Sequence, residues 1–203
     1  MKKKAYGIHS RDYLARARQR LDEGSLEPLF YAAFELRCGI EARLQQYEEA
    51  LTSITKTKRA GWKIPKVAGN IERAFRTGDK IVRVSVYNDA TNDVIYSFYY
   101  TPVNKKLRAM AGQISDLLHF PKGYRDAKDP WWNDKRAFLE QVYKELQKAN
   151  MGTLLGVPLW NPKTRRAHFQ TELRPGEKIK EQITIGKRYL LTVDYLDDLP
   201  EDQ

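Results

Sequence analysis

The chain has 203 residues, a net charge of +10 and an apolar share of 41%, values that are typical of a folded, basic globular protein. It contains one cysteine, Cys38, which excludes an intramolecular disulfide and a cysteine-based zinc site. No stretch approaches the ~20 apolar residues of a membrane span. The basic start, residues 1–4, is not followed by the apolar run of a secretory signal. We therefore expect a cytoplasmic protein that has no membrane partner.

The first third of the chain is predicted to be helical. Ser10 is a candidate N-cap for a helix that ends near Glu23, and Gly24 follows as a stop signal. A long helix is predicted from Pro28 to about Ile54, because apolar residues recur there at alternating steps of three and four. They are Leu29, Ala33, Leu36, Ile40, Leu44, Tyr47, Leu51 and Ile54. A shorter helix follows, with Val67, Ile71 and Phe75 as its inner row.

Two charged residues lie beside the apolar stripe of the long helix. Arg37 and Glu41 belong to the neighbouring row, so we expect them at the edge of the core or inside it. A buried charge costs free energy unless it is paired or used. Two interpretations stay open. The two residues pair with each other at helical spacing for structural reasons, or Arg37 faces a functional groove.

The middle of the chain predicts a hairpin between helices. Residues 80–88 and 94–101 are rich in β-branched and aromatic residues, and the segment 88–93 is rich in turn formers. Helical periodicity returns from Val103 to about Phe120 and again from about Asn133 to Ala149. Cys38 is predicted to be a small core residue of the long helix.

The tail changes to a strand-like period in residues 165–173, 178–185 and 187–196. The predicted fold class is therefore α+β: a helical bundle of about five helices with an inserted β-hairpin, and C-terminal strands that form an antiparallel sheet with it. Residues 1–150 form the bundle, with the hairpin at 80–101. Residues 151–203 form a β-rich extension packed on it.

Two short segments carry a family resemblance. The helix at residues 31–41, with its Glu-Leu-Arg and Ile-Glu pairs, and the helix at residues 112–120, which ends in His119 and Phe120, resemble helices of the HEPN (higher eukaryotes and prokaryotes nucleotide-binding) superfamily. The resemblance covers residues 28–150 in outline. It implies an α-helical, often dimeric protein of an antiviral-defence or toxin–antitoxin system, and for active members a metal-independent ribonuclease without a cofactor.

The resemblance also implies catalytic residues. The HEPN signature is an Arg followed four to six residues later by a His, and His119 matches the His. Gly112, Gln113 and Ile114 stand where the Arg belongs, so Arg37 is the candidate phosphate clamp, with Glu41 beside it and His119 as general acid or base. The alternative for His119 is that it caps free carbonyls at a helix end. The three histidines are scattered and predict no metal site.

Two segments mix cations with tryptophan, the combination that contacts phosphates and stacks on bases. The predicted nucleic-acid contacts are Lys56, Lys58, Arg59, Trp62, Lys63, Lys66, Trp160, Lys163, Arg165 and Arg166. The alternative is that each Trp packs under its loop. Sequence alone thus predicts a nucleic-acid-associated protein, with RNA favoured over DNA, or one that binds an acidic partner protein. The competing interpretation is a non-enzymatic interaction module that joins a partner protein or itself as a homodimer.

Overall fold

The computed structural model describes residues 6–51, 63–119, 125–161, 166–168, 170–172 and 189–200. The helices are α1 (Ser10–Asp22), α2 (Glu27–Ala50), α3 (Ile64–Phe75), α4 (Lys105–Leu118) and α5 (Trp131–Ala149). The strands are β1 (Ile81–Asn88), β2 (Val94–Tyr100), β3 (Leu159–Asn161), β4 (Arg166–His168) and β5 (Tyr189–Leu196). This confirms the predicted α+β class. None of the described helices combines the length and the apolar character that a bilayer crossing requires.

Helix α2 is the centre of the bundle and contacts α1, α3, α4 and α5. Its predicted inner row is buried from Leu29 to Leu51, because the alternating spacing places these residues on one face. The last predicted member, Ile54, lies outside the described residues. The helix ends at Ala50 and not near Ile54, since Leu51 already has an extended backbone.

The hairpin and the last strand share one antiparallel sheet in the order β2-β1-β5. Val82, Val84 and Val86 of β1 are buried in the core that the helices provide. The predicted strand at 165–173 contributes β4, which does not join this sheet. It pairs instead with β3, a short strand that the sequence did not predict, in a second antiparallel sheet. The predicted strand at 178–185 lies outside the described residues.

Side chains near the helix ends explain where two helices begin. Asn104 caps α4 by accepting a hydrogen bond of 2.8 Å from the Leu107 amide. Helix α5 begins at Trp131 and not near Asn133, because the Asp129 carboxylate accepts from the Trp131 amide at 2.9 Å. The residues after α5 return to the bundle: Leu154 and Val157 are part of the same core, and the Leu154 amide donates to the Tyr99 carbonyl.

Candidate functional site

Arg37 joins α2 to α4 through hydrogen bonds from two of its three nitrogens. Its Nε donates to Glu41 Oε1 at 2.7 Å, and its Nη1 donates to the Ala111 carbonyl at 2.6 Å and to Ser115 Oγ at 3.1 Å. The Arg37 side chain is 18% exposed, so it lies at the edge of the core. These contacts are the ones that the structural interpretation of the Arg37–Glu41 pair requires.

His119 follows the last residue of α4 and is exposed. It lies four residues after Ser115, which is about 6 Å along a helix axis. Within the described ranges, no hydrogen bond joins His119 to Arg37. The structure therefore places the Arg37 guanidinium against α4 and leaves His119 exposed after the end of that helix. The catalytic roles of Arg37, Glu41 and His119 stay predictions.

Cys38 is partly buried on α2 beside this region. Burial, and then the Glu41 carboxylate, raise the pKa of the Cys38 thiol to about 11. The thiol is therefore protonated at neutral pH. Because the thiolate is the nucleophilic form of cysteine, Cys38 is not an activated nucleophile.

Most of the predicted nucleic-acid contacts fall outside the part of the chain whose side chains are described. Lys56, Lys58, Arg59, Trp62, Lys163 and Arg165 lie outside the described residues. Trp160 and Arg166 lie in β3 and β4, but their side chains are not described. Lys63 and Lys66 are placed, and both are exposed at the start of α3.

Helix α3 separates its apolar residues from its cations. Its buried residues are Ile64, Val67, Ala68, Ile71 and Phe75. The steps of three, four and three from Lys63 through Lys66 and Asn70 to Arg73 place these residues on the opposite face. Arg73 and Arg76, which the sequence analysis did not single out, are exposed as well. The first turn of α3 has no acidic residue, so the positive end of the helix dipole is not neutralised there.

The cations of α3 differ from three arginines of α1 in their partners. None of the ion pairs formed between described residues includes Lys63, Lys66, Arg73 or Arg76. Three arginines of α1, by contrast, have carboxylate partners: Arg16 pairs with Glu35, Arg18 with Asp22 and Glu140, and Arg20 with Glu23. The outer face of α3 is thus a concentrated positive surface.

The fully buried cation of the bundle is Arg43, which the sequence analysis did not identify. Its side chain is 0% exposed, and its Nε donates to Tyr47 Oη at 2.8 Å and to the Ala149 carbonyl at 3.1 Å. Nη2 donates to the Gly152 carbonyl at 2.9 Å, and Nη1 lies 3.1 Å from Glu172 Oε2. The sequence contained one signal for the burial of Arg43, because Arg43 lies four residues, about one helical turn, before Tyr47 of the buried row. Arg43 ties α2 to the chain after α5.

The same region has little space for a ligand. A cavity of about 20 Å³ lies between α2, α3 and β2, beside Tyr47, Glu72, Tyr100 and Arg108. This is the room of roughly one water molecule. Burial raises the pKa of Tyr47 and of Tyr100 above the usual tyrosine range, so both phenols are protonated at neutral pH.

Two further observations limit the kinds of site. In the part of the chain that the structure describes, no group of three or more His, Cys, Asp or Glu residues could hold a metal ion. Comparison with protein-family models, with curated proteins and with solved structures finds no match. The proposed function therefore depends on the geometry of this chain. The outer face of α3, formed by Lys63, Lys66, Arg73 and Arg76, carries exposed cations that have no carboxylate partner among the described residues.

Proposed function

We propose that this chain is a basic nucleic-acid-binding protein that contacts phosphates through the outer face of α3. The observation that supports the proposal is the row of exposed cations at Lys63, Lys66 and Arg73, with Arg76 after it. Arg73 donates to the Gly69 carbonyl and to Asn70 Oδ1, contacts that leave its charge without a neutralising carboxylate. Cations without a carboxylate partner can replace the counterions of a phosphate backbone, and release of those counterions drives binding. The overall charge of +10 adds long-range attraction for the same partner.

The HEPN-like segments supply the finer part of the proposal. The resemblance at residues 31–41 and 112–120 favours RNA over DNA and a cytoplasmic role in antiviral defence or a toxin–antitoxin system. The contacts of Arg37 favour binding without cleavage. Glu41 and two oxygens of α4 hold its Nε and Nη1, so only Nη2 is left to contact a phosphate. Metal-independent cleavage at His119 stays a prediction.

The test is a charge-removing double variant, Lys63→Gln with Lys66→Gln. If both residues contact phosphates, the salt dependence of binding should weaken by about 1.8 in log–log slope, at ~0.9 per contact. The same relation predicts that affinity at about 0.15 M salt falls roughly 30-fold. Fluorescence anisotropy with labelled RNA over a range of salt concentrations measures both quantities.

The matched control is Lys128→Gln with Lys144→Gln, which removes the same charge from exposed positions before and within α5. We expect this control to bind within about threefold of the wild type, since it leaves the phosphate contacts in place. Equal losses in the two double variants would show that only net charge matters. That result would reject α3 as the binding surface.

A homodimer is the second candidate, because β5 exposes an apolar row. Leu191, Val193 and Tyr195 stand opposite Val86, Val84 and Val82 in the strand register, on the side of the sheet that elsewhere forms the core. All three are exposed. Exposed apolar rows of this kind mark protein contacts. We propose that a second copy of the chain covers the row, which is uncharged and therefore tolerates a two-fold contact with itself.

Val193→Lys places a charge in the middle of this row and should shift a dimer to monomer, because two uncompensated ammonium groups would meet in the contact. Sedimentation velocity over a range of protein concentrations measures the change. Thr192→Lys, on the opposite side of the same strand, should leave the dimer intact. A wild-type chain that sediments as a monomer at every concentration would reject the homodimer.

A further inference from the structure

We infer that the partner of α3 is a nucleic-acid duplex bound through its phosphate backbone, and that Arg76 is the anchor at the end of the contact. This inference rests on the proposed function and names the substrate class for the same surface. Lys63 and Arg73 are ten residue steps apart, or about 15 Å on a straight helix. A duplex carries one phosphate charge per ~1.7 Å of its axis, counting both strands, so a rigid row of this length meets a higher charge density on a duplex than on a single strand.

The chemistry of the face favours phosphates over bases. Between Lys63 and Arg76, the only aromatic side chain is Phe75, and it is buried in the core. Sites for single strands normally add aromatic rings on which unpaired bases stack. The described face of α3 offers no such ring, and Trp62, the predicted stacking residue that precedes it, lies outside the described residues. The face offers cations and, at Gly69, a stretch of backbone with nothing within 4 Å of the place where a Cβ would stand. A rigid phosphate row can therefore approach the helix closely.

The backbone conformation of Arg76 is the strongest support for a phosphate contact at this end of α3. It has φ 54° and ψ 30°, the left-handed conformation, and its amide donates to the Glu72 carbonyl at 2.8 Å to end α3. Glycine is the favoured residue at such a helix end, because a Cβ is unfavourable there. The exposed Arg76 side chain gives the core no packing in return. Strained non-glycine residues tend to persist where function needs their side chains, so we assign the guanidinium to the phosphate contact.

The first test is Arg76→Gly. Removal of the strain should raise the Tm by about 2–4 °C, and removal of the cation should weaken binding to a 20-base-pair RNA duplex about fivefold at ~0.15 M salt. The salt slope should fall by about 0.9. If Arg76 has only a structural role, Arg76→Gly should change the Tm and leave RNA binding unchanged.

Asn92→Gly is the matched control. Asn92 is the other non-glycine residue with positive φ in the described part of the chain, and it lies in the turn between β1 and β2. Its substitution should raise the Tm slightly, because asparagine tolerates this conformation better than arginine does, and should leave duplex binding unchanged. Unchanged binding of Arg76→Gly would reject the anchor.

The second test compares the RNA duplex with an unstructured single strand of the same length, each titrated with wild type and with the Lys63→Gln, Lys66→Gln double variant. We expect the duplex to bind at least tenfold more tightly. Equal or tighter binding of the single strand, lost in the double variant, would reject the duplex but keep α3 as the surface. If the double variant binds both RNAs like the wild type, the proposed function itself fails.

Discussion

Arg43→Ala should lower the free energy of unfolding by about 4 kcal/mol, because it empties a fully buried site and removes hydrogen bonds at the same time. Arg43 Nη2 donates to the Gly152 carbonyl, and the truncated side chain leaves that acceptor unsatisfied. Glu172 loses its cation too, but its side chain is 25% exposed, so water compensates part of that loss. Tyr47 Oη keeps its bond of 2.5 Å to the Thr101 carbonyl.

Two companion variants separate the contributions. Arg43→Met restores most of the side-chain volume without the donors, so we expect a loss of about 2 kcal/mol. Arg20→Ala removes an exposed arginine that pairs with Glu23 on the same helix, and should cost less than about 1 kcal/mol. Urea unfolding followed by circular dichroism measures all three. A loss below 1 kcal/mol for Arg43→Ala would contradict the structural role of the buried guanidinium.

Gly152→Ala should destabilise the protein by about 2–3 kcal/mol, because the structure leaves no room for a methyl group there. A Cβ on Gly152 would lie 2.5 Å from Thr101 Oγ1, 2.7 Å from the Tyr99 carbonyl oxygen and 2.9 Å from the Thr101 amide nitrogen. Two of these neighbours are backbone atoms of the strand end, which cannot move without disturbing the hydrogen bond from the Gly152 amide to Thr101 Oγ1.

Gly112→Ala is the control for this prediction, because it should change the stability in the opposite direction. Gly112 lies inside α4, is exposed and has nothing within 4 Å of an added Cβ. Alanine is the better helix former by about 1 kcal/mol, so this variant should be more stable than the wild type. Thermal unfolding of the two variants side by side gives the comparison. If Gly152→Ala unfolds at the wild-type temperature, the close packing of residue 152 against the β2 end is wrong.

Local patterns predicted the main elements because helices and hairpins are specified by neighbouring residues. The buried row of α2 follows directly from its spacing of three and four. The β1–β2 hairpin follows from the turn formers at 88–93, where the Asn88 side chain accepts from the Ala90 amide as such turns require. Strand β3 was not predicted, because a segment of three residues shows too little of a period to be recognised.

The roles of the charged residues depended on distant partners. Arg37 and Arg43 both lie beside the apolar stripe of α2, and the sequence predicted a functional role for Arg37 alone. The structure buries Arg43 instead, because the Ala149 carbonyl and the Glu172 carboxylate reach it from 106 and 129 residues away. The engagement of Arg37 with Ala111 and Ser115 is likewise a contact between α2 and α4. Periodicity within one helix carries no information about such partners.

The sequence by itself determined the positive charge, the α+β class and the two-sided character of α3, since composition and helical spacing are local properties. Only the tertiary structure decided which cations have a carboxylate partner. Arg18 is neutralised by Glu140, which is 122 residues away, whereas the α3 cations have no carboxylate partner among the described residues. Ion pairing requires atoms within a few ångströms, and folding alone brings residues so far apart in the chain to that distance.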